Sequence, residues 1–237
     1  VMEGDSSYHI INIQQAEGGQ VTTNTPAAAT NTEIVLTVTP KKGYELKTLT
    51  VAGSAVTASP VEDVNGDISY YTYTFNMPDK NVSVQVSYIR VGLNISGRVS
   101  SWNPTQETAI TLYQSGAPRD ARAAVMQVTI PGIQAIGQSA EAYTLEGVRF
   151  GTYDMVVTKD AHTSYTITGL TVTEAMPDLT LPTIELYVGD LNSNGTVDSV
   201  DMSILLRSEN FGRSVRDAVL PIADLNGSSI IDSVDLS

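Results

Sequence analysis

Apolar and polar positions alternate with a period of two through much of the first 187 residues. Ile34, Leu36 and Val38 interleave with Val35, Thr37 and Thr39. Tyr71, Tyr73 and Phe75 interleave with Thr72 and Thr74, and Val82, Val84, Val86 and Tyr88 with Ser83, Gln85 and Ser87. This is the period of a strand with one buried face, as in an antiparallel sheet with one wet side. Pro78-Asp79-Lys80-Asn81 predicts a turn between the last two runs, and Gly18-Gly19 punctuates an earlier hairpin. Further short strands are predicted at Leu93–Val99, Ala109–Tyr113, Val125–Ile130, Tyr143–Leu145, Tyr153–Thr158, Tyr165–Thr168, Leu170–Val172 and Ile184–Tyr187. Strands at this spacing, separated by Gly and Pro turns, indicate a β-sandwich. Short links near Ile89–Gly92 and Leu186–Gly189 divide the chain into 1–90, 91–187 and 188–237. Neither link has flexible Gly/Ser composition, so the sandwich is expected to brace the C-terminal segment.

Beyond Tyr187 the strand period stops and an internal repeat begins. Asp190–Ser203 lies over Asp224–Ser237 at an offset of 34 residues, and eight of fourteen positions are identical. A twelve-residue loop can wrap a hard divalent cation when oxygen ligands fall at positions 1, 3, 5, 7, 9 and 12. In the first copy these are Asp190, Asn192, Asn194, Thr196 (through its carbonyl), Asp198 and Asp201. Gly195 supplies the sharp turn at position 6. The second copy offers Asp224, Asn226, Ser228, Ile230 (carbonyl), Asp232 and Asp235, with Ser229 in place of the glycine. Neither loop offers a thiolate or imidazole, so the expected cofactor is calcium at two sites, the second weaker. Val200, Ile204 and Leu205 predict a short amphipathic helix after the first loop. Ser214 to Leu220 predicts a second helix ended by Pro221, and a third begins near Val234 and is cut short at Ser237. Fifty residues without cysteine make little core of their own, so bound ions would contribute to folding.

Composition narrows the partners. The formal net charge is −13, which disfavours nucleic acid and anionic membranes. Acidity is densest after Tyr187, with eight acidic against three basic residues, where calcium would offset part of it. No run of about 18 apolar residues is present, so no transmembrane helix is expected. Val1 is not a natural start and no signal peptide is visible, so the sequence reads as a fragment of a longer chain. The absence of cysteine together with calcium loops points to an extracellular bacterial protein.

With Asp at position 12 in both loops, residues 188–237 resemble a type I dockerin, the calcium-binding anchoring module of cellulosomal and related secreted proteins. The resemblance implies docking to a cohesin on a scaffoldin or cell-surface protein. It assigns recognition to Ser199, Val200, Leu206 and Arg207, and in the second copy to Ser233 and Val234. Tyr8–Ile89 resembles divergent internalin B-repeat modules, through Gly18-Gly19-Gln20-Val21, Ile34–Tyr44 and Tyr73–Val82. Tyr143-Thr144-Leu145-Glu146-Gly147-Val148-Arg149-Phe150-Gly151-Thr152-Tyr153 is similar to carboxypeptidase-regulatory-like (prealbumin-like) or X-module-like sandwiches. The fold class expected is thus multidomain: a small antiparallel β module, a prealbumin/Ig-like β-sandwich, and a small α-helical dockerin with two EF-hand-like calcium loops.

Catalytic signatures are scarce. There is no cysteine, no nucleophile elbow, no zinc-protease motif and no phosphate loop. The two histidines, His9 and His162, fall in different modules, and His162 reads as a solvated loop residue. Glu62, Asp63 and Asp67 surround Asn65-Gly66 and read as a solvated hairpin tip rather than a glycosidase pair. Tyr71 and Tyr73 read as core, with only Tyr70 exposed. The expected function is non-catalytic, calcium-dependent docking, any catalytic domain lying upstream. The alternative is a polysaccharide-binding or adhesive surface protein whose calcium loops are structural.

Overall fold

The computed structural model describes residues 7–64, 67–117 and 124–236. Asn65 and Gly66 of the acidic hairpin, and Ser237, lie outside the described residues. The chain divides into two compact units, Val1–Gly92 and Leu93–Ser237.

The first unit is a two-sheet sandwich. Its strands are β1 (Tyr8–Gln14), β2 (Gly19–Thr23), β3 (Ala27–Ala29), β4 (Glu33–Pro40), β5 (Tyr44–Val51), β6 (Ser54–Val56), β7 (Ser59–Glu62), β8 (Ile68–Asn76) and β9 (Val82–Arg90). One sheet runs β3-β1-β9-β5-β6 and the other β2-β4-β8-β7. The alternating residues of β4 and β9 supply the core: Ile34, Leu36, Val38 and Val84 have no exposed surface. Tyr71, Tyr73 and Phe75 pack against that core, whereas Tyr70 is exposed.

Two expectations are corrected here. The unit is not purely antiparallel: β1 pairs with β9 in parallel, Ile11 opposite Val82 and Ile13 opposite Val84. Gly18-Gly19 does not close a hairpin either, since β1 and β2 belong to different sheets. The pair carries the chain from one sheet to the other beneath Tyr44 and Tyr88. A Cβ on Gly18 would lie 2.6 Å from Tyr44 Cδ1, and its φ is +100°.

In the second unit, β10 (Gly92–Trp102) lies between β13 (Gln138–Arg149) and the short β16 (Leu179–Thr180), and β17 (Ile184–Glu185) also pairs with β10. The facing sheet runs β12 (Ala124–Ile130), β11 (Thr108–Gln114), β14 (Gly151–Lys159), β15 (Tyr165–Val172). Leu93, Ile95 and Val99 of β10 meet Ile110, Leu112, Met155 and Val157 of the other sheet in one core. The two runs predicted at Tyr165–Thr168 and Leu170–Val172 are one strand. Gly169, at φ +68°, donates its N–H to Asp154 Oδ1 there at 3.0 Å.

The expected helical C-terminal module is overturned. The described residues are nearly all β, and the only α-helix among them is α1, seven residues from Ser199 to Leu205. The predicted helix at Ser214–Leu220 is instead the short strand β18 (Arg213–Ser214) followed by one turn, in which the Ser214 hydroxyl bonds Asp217. Pro221–Ala223 and Ser233–Leu236 are single 3₁₀ turns. β18 pairs with β19 (Ile230–Ile231), so a ribbon occupies the place of packed helices. Segments this short cannot nucleate helix alone, and their apolar residues are drawn into a small core: Leu191, Leu205, Ala223, Leu225 and Ile231 close around Ala161 of the sandwich. Val200 does not join it, being 52% exposed, and the buried face of α1 is Asp201, Ile204 and Leu205.

Gly18→Ala should destabilise the first unit by about 1–3 kcal/mol, from the clash and the left-handed backbone together. Calorimetry should show that transition falling while the transition of the second unit stays in place. An unchanged first transition would contradict the constraint.

Candidate metal centre

Both loops fold on the same hydrogen-bond plan. In the first, Asp190 Oδ1 accepts from the N–H of Asn194 at 3.0 Å, and Oδ2 from Gly195 at 2.8 Å. In the second, Asp224 Oδ1 accepts from Ser228 at 3.0 Å, and Oδ2 from Ser229 at 2.8 Å. At position 12, Asp201 accepts the N–H groups of Leu191, Asn192 and Asp198 at 2.9, 3.2 and 2.9 Å. Asp235 repeats this with Leu225, Asn226 and Asp232 at 2.8, 3.1 and 2.8 Å. Asn192 and Asn226 accept at Oδ1 from Asn194 and Ser228. Asp198 and Asp232 cap the turns that follow, accepting from Val200 and Val234 at 2.7 and 2.8 Å. Thr196 bonds Asn194 Oδ1 through both its N–H and its hydroxyl, and the Ser228 hydroxyl donates to the carbonyl of Ile230.

Ser229 does not leave the second loop short of a glycine in the left-handed region. Each loop needs two left-handed residues, at positions 4 and 6. The first uses Ser193 (φ 59°) and Gly195 (φ 87°); the second uses Gly227 (φ 78°) and Ser229 (φ 73°). Each loop therefore holds one serine in the strained region and one glycine where it is free, and the strain is balanced.

Burial sets up the electrostatics. Asp190, Asp201, Asp224 and Asp235 are 3, 2, 5 and 7% exposed, and among the described residues no Lys, Arg or His lies within ion-pair distance of them. Burial pushes the Asp235 carboxyl up, and the nearby Asp224 charge adds to the push. Two buried carboxylates per loop without a cationic side chain are costly unless an ion compensates them. Among the described residues no three His, Cys, Asp or Glu side chains converge to hold a metal. A bound ion would draw on asparagine, serine, backbone carbonyl and water oxygens as well as carboxylates. That all-oxygen donor set fits calcium.

The residues assigned to recognition are on the surface. Val200, Leu206 and Val234 are 52, 46 and 55% exposed, with Ser199, Arg207 and Ser233 exposed beside them. Sequence reasoning missed the residues that hold the loops. Asn210, 2% exposed, ties α1 to the following segment by donating to the Ile204 carbonyl (2.8 Å) and accepting from the Leu220 N–H (2.9 Å). Asn103, at the end of β10, donates Nδ2–H to the carbonyl of Asp224 at 2.6 Å, and the Gly137 N–H donates to the carbonyl of Asn226 at 2.7 Å. Nothing local in the sequence marks these long-range partners.

Residues 9–92 match the family model of the divergent InlB B-repeat domain. The B-repeat match covers the first unit and runs through the stretch that carries the sequence resemblance. No curated protein matches the chain. Two crystal structures of interface mutants of the type II cohesin–X–dockerin complex from Acetivibrio cellulolyticus are similar to it. Each shares 22% identity over 61% of this chain and 91% of theirs, with TM-scores of 0.42 and 0.41. The Bacillus anthracis TIE protein is similar at 7% identity over 76% of this chain and 33% of that chain, with a TM-score of 0.25. Similarity at these levels assigns neither fold nor partner.

His162 departs from its expected place. It is 7% exposed, its Nδ1 lies 2.7 Å from the Asp160 carbonyl, and it forms a bridge with Val188 where the sandwich meets the C-terminal segment. Nε2 is buried with no hydrogen-bond partner. Burial, reinforced by the nearby Lys159 charge, pulls its pKa down to about 4, against hydrogen bonds that raise it. The unfolded chain takes up this proton near 6.5 while the folded chain resists until about 4, so stability falls as the pH drops through that window. The second unit should be less stable at pH 5 than at pH 7 by on the order of 2 kcal/mol. Denaturant titration at the two pH values should show this, and His162→Gln should flatten the difference. Equal slopes in both proteins would exclude His162 as the cause.

Proposed function

We propose that residues 188–237, seated on the sandwich of the second unit, form a calcium-dependent docking element that attaches a secreted bacterial protein to a cohesin module of a scaffoldin or cell-surface protein. The observation that supports it most is the duplicated loop architecture: two superposable sets of backbone bonds to buried carboxylates without cationic side-chain partners. Asp190, Asn192, Asn194, Thr196, Asp198 and Asp201 would hold the first ion; Asp224, Asn226, Ser228, Ile230, Asp232 and Asp235 the second. Calcium supplies charge compensation there, and the protein supplies the shape of the loop. Beside the loops, Ser199, Val200, Leu206, Arg207, Ser233 and Val234 offer apolar side chains rimmed by hydroxyls and one guanidinium. This mixture suits a protein interface better than a solvated face. The proposed role is extracellular and non-catalytic.

Calcium in hundredfold excess over its dissociation constant should stabilise the second unit by roughly 2.7 kcal/mol per site, and excess EGTA should lower its melting temperature without moving that of the first unit. Calorimetric titration against a panel of cohesins should give binding in calcium and none in EGTA. Val200→Asp and Leu206→Asp should each weaken it by about tenfold or more. Cohesin binding that persists in EGTA, or that ignores both substitutions, would end this reading.

One observation favours a second reading, polysaccharide binding. A cleft of about 360 Å³ in the second unit is lined by Thr163, Ser164, Tyr165, Thr183, Ile184, Glu185 and Tyr187. The two tyrosines are 43 and 70% exposed. Tyrosines beside hydroxyl- and carboxyl-bearing residues are the residue types that suit the apolar faces and hydroxyls of a pyranose. Affinity electrophoresis in soluble plant and bacterial polysaccharides should show retardation that Tyr165→Ala and Tyr187→Ala abolish. Free migration of the unsubstituted protein in every polysaccharide would reject it.

A further inference from the structure

The two loops share a plan but not an environment. In the first, every residue from Asn192 to Val200 is exposed. Positions 1 and 2 are buried in both, Asp190 and Leu191 as much as Asp224 and Leu225, but in the second loop Asn226, at 4%, and Gly227 are buried as well. The cover comes from the sandwich. Asn103, itself 4% exposed, donates Nδ2–H to the Asp224 carbonyl at 2.6 Å. Its Oδ1 accepts from the Thr105 hydroxyl at 2.5 Å, which fixes the amide orientation. The Gly137 N–H donates to the Asn226 carbonyl at 2.7 Å. A Cβ on Gly227 would lie 2.9 Å from Asn103 Oδ1 and 3.2 Å from the Ala135 carbonyl, so only glycine admits this approach. Asn103 has φ 50°, a left-handed backbone held by the surrounding structure.

A loop held in its ligand-ready shape loses less conformational freedom when it closes on an ion. The first loop is tied to the sandwich just before it begins, where the Gly189 N–H donates to the Ala161 carbonyl at 2.7 Å, but from Asp190 to Asp201 no such clamp is found among the described contacts, and each loop carries one left-handed serine. The deficit read from Ser229 is therefore cancelled, while the advantage of preorganisation belongs to the second loop alone. We propose that Asn103 and Gly137 hold the second loop ready for its ion, so that the second loop is the tighter and slower-exchanging calcium site and the first the looser one. The proposal rests on the calcium reading above. It reverses the affinity order expected from ligand identity. It also gives the loops different duties: the second fastens the segment to the sandwich, and the first, next to Val200 and Leu206, fills and empties as calcium varies.

The test uses the full chain stripped with chelator, calcium alone as ligand, titration calorimetry for affinity and stopped-flow release to a fluorescent chelator for rate. Asp190→Ala and Asp224→Ala isolate the two sites. The Asp190→Ala protein should retain the tighter, slower-releasing site and the Asp224→Ala protein the weaker, faster one. Adding Asn103→Gly, which suits the left-handed backbone and removes only the side chain, should weaken the site left in Asp190→Ala by about tenfold, the equivalent of one hydrogen bond of ~1.4 kcal/mol. It should leave the site in Asp224→Ala unchanged. Asn103→Asp, which keeps the acceptor for Thr105 and lacks the donor, guards against misfolding, with near-ultraviolet circular dichroism from Trp102 as the check on fold. Tighter binding in Asp224→Ala than in Asp190→Ala overturns the proposal, as does an equal effect of Asn103→Gly on both sites. Absence of any calcium binding by the unsubstituted chain removes the calcium reading and this inference together, a result distinct from either.

Discussion

Asp201 and Asp235 each gather three backbone N–H groups, and the shape of the C-terminal segment follows from that. One carboxylate at the end of a loop pulls the beginning of the same loop onto itself. It satisfies donors that would otherwise be orphaned and brings a second carboxylate, Asp190 or Asp224, into the same buried space. Backbone bonds stabilise the ionised form, but they do not remove the net charge. Two buried negative charges per loop are costly without a compensating cation, and under the calcium reading proposed above metal binding and folding would be one equilibrium.

The fifty residues after Tyr187 have too little apolar surface to close a core alone. Leu191, Leu205, Ala223, Leu225 and Ile231 solve this by packing with Ala161 from the sandwich, while the His162–Val188 bridge and the Gly137 bond tie backbone to backbone and the Asn103 side chain donates to the Asp224 carbonyl. The sandwich thus shapes the second loop as well as supporting it. It also accounts for the missing helices: residues that would make one face of a helix are used instead in single turns and in the ribbon between Arg213–Ser214 and Ile230–Ile231.

The strands were legible because burial on one face imposes alternation, and Ile34, Leu36, Val38, Val82 and Val84 all occupy the face their spacing implies. Their partners were less legible. Strands with the same alternation pair in many ways, so the parallel match of Ile11 with Val82 and the passage of Gly18-Gly19 between sheets could not be read from either segment. His162 was misjudged for a related reason. A histidine among Asp, Thr and Ser looks solvated until a distant segment, here Val188, covers it.

At the loops, the sequence by itself determined the chemistry: which residues carry oxygen, at what spacing, and that the pattern occurs twice. Ligand identity is local, and the hydrogen bonds that define each loop span at most ten residues. Tertiary structure alone decided how the two copies differ. Gly227 against Asn103, the Gly137 N–H on the Asn226 carbonyl, and the exposure of Asn192 against the burial of Asn226 are contacts between segments some ninety to more than a hundred residues apart. A repeat in sequence describes two equivalent loops; only their unequal burial against the sandwich makes them different.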